Sequence, residues 1–201
     1  MFQNGTHAQI SVSSILELIM SELRKLNSLG AYCLRFIILT AARSMEARSA
    51  FWCEIDFENK VWRIPAARMK AEREHAVPLC DEAIGILQTM RELQPPNAEL
   101  VFQGERGGLI SDVTINKTLH AIASNCTVHG FRSSFRIWGA ETTSTPSAVL
   151  ELALAHVNQN KTEAAYQRSD LFERRRVLMD AWGVYCCSGS NVYQINKQKT
   201  A

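Results

Sequence analysis

A chain of 201 residues with 46% hydrophobic content is long enough to bury one substantial core and too short to hold two domains of ordinary size. Its net charge of +2 leaves the partner open, because a nucleic-acid surface needs local rather than global positive charge. The longest apolar stretch, Phe36 to Ala42, follows Arg35 and is too short to cross a bilayer, and the polar run from Met1 to Ser14 holds no signal-peptide core, so a cytosolic protein is expected.

In chain order, Ser14 to Leu26 carries apolar residues at 15, 16, 18, 19, 20, 23 and 26, a helical stripe that ends before Gly30. A second helix is predicted from Ala31 to Ala42, apolar nearly all round and therefore central to the core, with Thr40, Arg43 and Glu46 delivered where burial stops. From Ile55 to Leu79 the pattern changes. Val61, Trp62 and Ile64, then Ala76 and Val77, separated by turns at Asp56 to Lys60 and Ala71 to Glu74, predict a small antiparallel sheet of three short strands, with Lys70 at the edge of its second hairpin.

Asp81 is expected to cap a helix running to Leu93, which Pro95-Pro96 stops, and after a Gly-rich loop Ser111 or Asp112 starts another through Ala123. A helix from Thr127 to Glu141 places His129 and Arg132 at i, i+3 on one face. Thr145-Pro146 reads as a capping oxygen followed by a first-turn proline, for a helix ending near His156; Thr162 begins a helix bearing Tyr166. A last amphipathic helix, Asp170 to Tyr185, presents Leu171, Leu178, Ala181, Trp182 and Tyr185 and is expected to dock on a neighbouring subunit. The domain reading is a linker over 1–13, one domain over 14–187 and a flexible tail over 188–201.

The six cysteines show no metal-ligand spacing and read as buried free thiols. Two basic concentrations, Arg63, Arg68, Lys70 and Arg73, and Arg174 to Arg176, each read in isolation as solvated faces. Taken together, though, Arg43, Lys70, His129, Arg132, His156 and Tyr166 are the parts needed to cut a phosphodiester with a protein nucleophile and no metal or other cofactor. Such attack needs a nucleophile, stabilisation of the phosphoryl oxygens and a proton for the leaving oxygen. A tyrosine with a free pKa of ~10 is only about one part in a thousand ionised at neutral pH, so it needs a neighbouring base or cation field, which His129 or His156 can supply. Arg43 and Arg132 suit forked grips on non-bridging oxygens, often worth ~3 kcal/mol or more per donor in a transition state, and Lys70 suits protonation of the departing oxygen. No G-x-x-x-x-G-K-[ST] loop is present, in keeping with chemistry that needs no ATP.

At this point the sequence resembles the catalytic domain of a tyrosine recombinase, more closely the integrases of prophages and genomic islands. The first arginine box is matched by Thr40-Ala41-Ala42-Arg43-Ser44-Met45-Glu46, with alanine where the family has glycine after the threonine, and is followed by the similar Trp52-Cys53-Glu54-Ile55-Asp56. The lysine hairpin is similar to Met69-Lys70-Ala71-Glu72-Arg73-Glu74-His75-Ala76-Val77-Pro78-Leu79, the second box to His129-Gly130-Phe131-Arg132, and Leu154-Ala155-His156 and Ala165-Tyr166 complete the set. The resemblance covers Ile15 to Tyr185. It implies an α+β, mainly α fold: a helical tyrosine-recombinase catalytic domain with a small three-stranded antiparallel sheet.

By the same resemblance, Tyr166 would form a 3′-phosphotyrosine link to double-stranded DNA at attachment sites, and Arg43, Arg132 and His156 would hold the phosphate. Lys70 would act as general acid, His129 would assist proton transfer and Glu46 would brace the arginine site. The implied partners are DNA, further copies in a tetramer on DNA, and DNA-bending accessory proteins, in a bacterial cytoplasm and at the nucleoid. Family members carry a core-site DNA-binding domain ahead of this region, so the chain is expected to be a fragment or truncated product that binds DNA weakly and with strong salt dependence. Two other readings stay open: a topoisomerase that also uses tyrosine and two arginines, and a catalytically silent DNA-binding remnant.

Overall fold

The structure, a computed structural model, describes residues 12–156 and 171–188. The chain order is α1 (Val12–Lys25), α2 (Leu29–Thr40), α3 (Ser44–Arg48), β1 (Ile55–Asp56), β2 (Val61–Ile64), β3 (His75–Pro78), α4 (Asp81–Leu93), α5 (Asp112–His120), α6 (Gly130–Thr142), α7 (Ser147–Ala153) and α8 (Phe172–Ser188). The mainly helical fold with one small sheet is as expected. The expected linker over 1–13 but for its last two residues, the helix from Thr162 with Tyr166, and the tail beyond Ser188 lie outside the described residues.

α2 is the axle. Ser28 caps it by accepting from the Ala31 amide at 3.3 Å, and from Gly30 to Thr40 only Tyr32 and Arg35 escape burial. A helix apolar on every side can only exist with neighbours all round it, and α1, α4, α5 and α8 supply them. The sheet runs β1-β2-β3, antiparallel throughout, with Trp62 opposite both Ile55 and Val77, and Ile64 opposite His75. Alternation on β2 buries Trp62 and Ile64 and exposes Arg63. Trp62 then packs against Phe36 of α2 with ring centroids 5.3 Å apart, tying the sheet to the helical core.

The last helix overturns its expected role. Leu178, Met179, Ala181, Trp182, Tyr185 and Cys186 are buried within this same chain. The Trp182 indole donates to the Ile38 carbonyl at 2.8 Å and meets Phe135 edge-on at 5.3 Å and Trp138 at 5.1 Å. A β-carbon on Gly183 would come within 2.6 Å of Cys80 Sγ, so α8 lies against the start of α4 with no room for a side chain. The apolar stripe on α8 is satisfied in cis, which leaves little of it for a neighbouring subunit.

Smaller corrections concern helix ends. Asp81 is the first helical residue rather than the cap, and its carboxylate accepts from Lys60 Nζ at 2.6 Å. Pro146, not Thr145, occupies the cap position of α7. α5 ends at His120, and α6 begins at Gly130 because the Thr127 hydroxyl accepts from the Gly130 amide at 3.1 Å and holds the preceding residues in a turn. Of the cysteines, Cys33, Cys80 and Cys186 are buried free thiols, whereas Cys53 is exposed and Cys126 and Cys187 are half-buried.

The packing of α8 in cis is testable. Replacing Trp182 by Ala should destabilise the protein by about 3–5 kcal/mol in urea unfolding. Both proteins should show midpoints that do not move with protein concentration; a midpoint that rises with concentration would mean the helix is stabilised in trans.

Candidate functional site

α3 is a single short turn of five residues, with Arg43 at its N-cap position. Glu46 organises that end: one carboxylate oxygen accepts from the Arg43 amide at 2.9 Å and the other from the Arg43 guanidinium at 2.7 Å. The Glu46 side chain is only 6% exposed, whereas Arg43 keeps 29% of its side-chain surface. The pair is thus held from within while one cation still faces outward. Thr40 turns the other way, its hydroxyl donating to the Phe36 carbonyl at 2.7 Å.

Arg132, on the first turn of α6, is 5% exposed. A buried guanidinium must have its donors satisfied or it costs several kcal/mol. It finds carbonyls at the C-terminal ends of two other helices: Nη1 donates to Ala41 at the end of α2, and Nη2 to Leu154 at the end of α7, the latter at 2.7 Å. Helix C-termini carry negative partial charge and unpaired carbonyls, so the cation suits them on both counts. Ala41 adopts the left-handed conformation with φ 49°, a backbone state that favours glycine, and so swings its carbonyl out of the helical row toward Arg132. Burial first, and the charge of Arg43 second, pull the Arg132 pKa down to about 10, with Glu46 acting in the opposite sense. Arg132 therefore remains a cation at neutral pH.

His156 reaches the same point by a helix stop. Ala155, again left-handed at φ 50°, ends α7, with its amide bonded to Leu152 O and the His156 amide to Glu151 O at 2.9 Å, the paired reverse bonds of a Schellman motif. The His156 ring then sits with Nε2 3.3 Å from Arg132 Nη2 and Nδ1 2.6 Å from the Glu151 carboxylate. Glu151 also accepts from Arg136 at 2.6 Å; burial works against its charge, but these donors hold its pKa below the ordinary range. Glu151 was not among the residues singled out from sequence, though its place five residues before the histidine, across a helix end, is the available signal.

Arg43, Arg132, His156 and Glu46 therefore come together. Lys70 lies in the β2–β3 connection, exposed, and among the described residues its ammonium has no hydrogen-bond or ion-pair partner. His129 is exposed at the entry of α6, with its carbonyl accepting from the Arg132 amide but no hydrogen bond joining its ring to the cluster. Tyr166 lies outside the described residues. His75, which sequence reading treated only as part of a hairpin, is close to the cluster: burial, then the charge of Arg175, push its pKa down to about 4, while Glu46 and a hydrogen bond to the Ala153 backbone act to raise it and Arg132 to lower it.

The basic runs are only partly solvated. Arg63, Lys70 and Arg73 are exposed, but Arg68 is held by Glu54 and backbone carbonyls, and Arg175, 2% exposed, donates to Ala76 O at 2.6 Å and so fixes the start of α8 to β3. Among the described residues no cluster of His, Cys, Asp and Glu is arranged to hold a metal ion, and no helix is long and apolar enough to cross a membrane.

The model of the phage integrase family matches residues 11–171. Prophage integrase IntA of Escherichia coli (strain K12) is 37% identical over 172 residues, which cover 77% of this chain and 38% of that protein. The chain thus spans about two fifths of the length of the curated relative. In three dimensions it is similar to the XerH site-specific recombinase bound to its difH substrate in a pre-cleavage complex, with a TM-score of 0.59 and 20% identity over 77% of this chain and 50% of that one. It is also similar to the Tn1549 transposon integrase in complex with circular intermediate DNA, with a TM-score of 0.52 and 14% identity over 75% of this chain and 62% of that one.

The environment of His75 predicts a pH dependence. The folded protein keeps the ring neutral down to about pH 4, whereas the unfolded chain takes up a proton near the ordinary value of 6.5. Between those values the unfolded state binds the extra proton, so this contribution is full above about pH 6.5 and is lost as pH falls toward 4. Between about pH 7 and 4.5, His75→Asn should lose roughly 2–3 kcal/mol less stability than the unaltered protein in urea unfolding. Parallel pH profiles for the two proteins would refute the assignment.

Proposed function

Because the chain belongs to the phage integrase family, we propose that it is the strand-cutting and rejoining portion of a site-specific DNA recombinase that integrates and excises a prophage or genomic island. The observation that carries the proposal is the convergence of two guanidinium groups, Arg43 and Arg132, with the His156 ring beside Arg132; Glu46 answers only part of the charge of the two arginines, and His156 turns its other nitrogen to Glu151. Cations gathered this way favour an anion between them, and a DNA phosphate supplies it. That the XerH and Tn1549 proteins were captured with substrate and with DNA supports double-stranded DNA as the partner of this fold. Prophage-integrase relatives favour recombination over simple relaxation of supercoils.

In this reading the Tyr166 oxygen attacks a backbone phosphorus, the P–O5′ bond breaks, and a 3′-phosphotyrosine forms with release of a 5′ hydroxyl. Arg43, Arg132 and His156 hold the non-bridging oxygens, and because Arg132 is fixed by two helix ends it has little reorganisation to undergo as charge builds up. Lys70, exposed, gives its proton to the leaving O5′; His129 helps move the proton from the tyrosine. Attack by another 5′ hydroxyl reverses the step and reseals the strand, with bond energy stored in the phosphotyrosine and no ATP or other cofactor consumed. The enzyme would work at attachment sites in the bacterial cytoplasm, at the nucleoid, as a tetramer on DNA with bending proteins assisting.

The test is a nicked suicide duplex whose cleaved strand diffuses away and traps the intermediate. The unaltered chain should give a protease-sensitive protein–DNA adduct on denaturing gels, more at low salt than at high, and Tyr166→Phe should give none. An adduct that persists in Tyr166→Phe means that another group is the nucleophile. The lack of any adduct from the unaltered chain, under conditions in which a longer parental protein reacts, means that this portion is catalytically silent.

A further inference from the structure

We infer that Arg68 is a positioning residue that sets Lys70 against the Arg43 side of the site; this rests on the recombinase reading above and its role for Lys70. Arg68 closes a tight turn over Ala66–Arg68, two residues before Lys70. Its guanidinium spans three acceptors from different parts of the chain. Nη2 donates to the Glu46 carbonyl at 2.8 Å, and Nη1 donates to the Ser49 carbonyl and to the Glu54 carboxylate at 3.0 Å. The group also lies over the Phe51 ring, 5.7 Å from its centroid.

Those contacts tie the base of the lysine loop to the end of α3, whose other end is held locally by the Glu46 carboxylate on the Arg43 amide and guanidinium. One turn of helix does not cover its own nucleation cost, and its last carbonyls have no intrahelical donors. Arg68 satisfies the carbonyl of Glu46 inside that turn and of Ser49 just after it. The carbonyl of Glu46 is thereby held by Arg68 while its carboxylate holds Arg43. Glu54, the counter-charge, is itself fixed: 7% exposed, it also accepts from Trp62 Nε1 at 3.0 Å and from the Phe51 amide at 3.2 Å. The sheet, the α3 turn and the base of the lysine loop thus meet on one planar cation. An ammonium, a single point of charge, cannot span the same three acceptors.

Among the described residues Lys70 has no side-chain anchor, and its placement comes from the chain on either side of it. On the far side the loop is tied down by the pairing of Ile64 with His75. On the near side, the buried Met69 side chain fixes the chain in the core, and Arg68 adds the polar tie that sets its position against α3. If it is loosened, the arginine site keeps its Glu46, Ala41 and Leu154 contacts, but the proton donor loses its fixed distance to the leaving oxygen.

A chemical probe separates this from general support of the fold. In the ordinary step P–O5′ breaks and the Lys70 proton goes to O5′. In a duplex carrying sulfur in place of the bridging 5′ oxygen, P–S breaks and the electron pair leaves on a thiolate, whose conjugate acid has a pKa near ~8.5, so no proton is needed. Single-turnover adduct formation is measured on both nicked duplexes for the unaltered chain, Lys70→Ala, Arg68→Met and Arg68→Lys, together with urea unfolding and duplex affinity by anisotropy. Lys70→Ala should be about a hundred-fold slower or more on oxygen and restored on sulfur. Both Arg68 variants should be about ten- to a hundred-fold slower on oxygen, with duplex affinity unchanged, and likewise restored on sulfur. Should Arg68→Met not fold, Arg68→Lys, which keeps charge and stem, carries the test. If Lys70→Ala is restored by sulfur while the Arg68 variants stay slow, or if the Arg68 variants match the unaltered rate on oxygen, the inference is overturned. If Lys70→Ala itself is not restored, the failure lies in the Lys70 assignment.

Discussion

A guanidinium with almost no access to water has to be answered by the protein, and Arg132 is answered by the ends of two helices. That one requirement draws the C-terminus of α2 and the C-terminus of α7 to the first turn of α6. It also explains why both helices stop in left-handed alanines, Ala41 and Ala155, since each stop turns chain and carbonyls toward the same point. His156 is delivered beside Arg132 by the second stop, and Arg43 follows the first at the N-cap of α3. The desolvation that makes the cluster expensive is also what strengthens its hold on any anion that enters.

Around this centre the structure is a set of ties between elements distant in sequence. Trp182 joins α8 to α2, Arg175 joins α8 to β3, and Arg68 joins the lysine loop to α3. Each uses one long side chain to satisfy a backbone carbonyl, so each both closes a polar account and fixes an angle. The chemistry proposed here needs groups held to fractions of an ångström, and a small mainly helical domain reaches that through such ties more than through the sheet.

Much of this was legible in the sequence. The all-round apolar character of Ala31 to Ala42 marked the axle and the alternation at Val61 to Ile64 marked the sheet, while of the ordered residues singled out for chemistry Arg43, Arg132 and His156 come together and Tyr166 lies outside the described residues. The stop at Ala155 was not legible, because alanine carries none of the glycine signal of a left-handed cap. Arg68 and Arg175 stood in basic runs that look solvated, and only tertiary packing shows their carbonyl partners. The last helix misled in the opposite way: an apolar stripe says that a face must be covered but not by which chain, and Phe135, Trp138 and Ile38 of this chain cover it. His75 was passed over because its neighbours in space, Arg175, Arg132 and Glu46, are remote in sequence.

Strand cleavage as proposed requires Arg132 and Arg43 to receive one phosphate. The direct measurement is nitrogen-edited NMR of the arginine side chains, assigned with Arg132→Lys and Arg43→Lys, during titration with an intact, uncleavable duplex. The guanidinium signals of Arg132 and Arg43 should move together along one binding curve, and the buried Arg132 should exchange with water more slowly than exposed arginines such as Arg63. Saturable duplex binding that leaves both signals where they were, while exposed cations elsewhere respond, would contradict it.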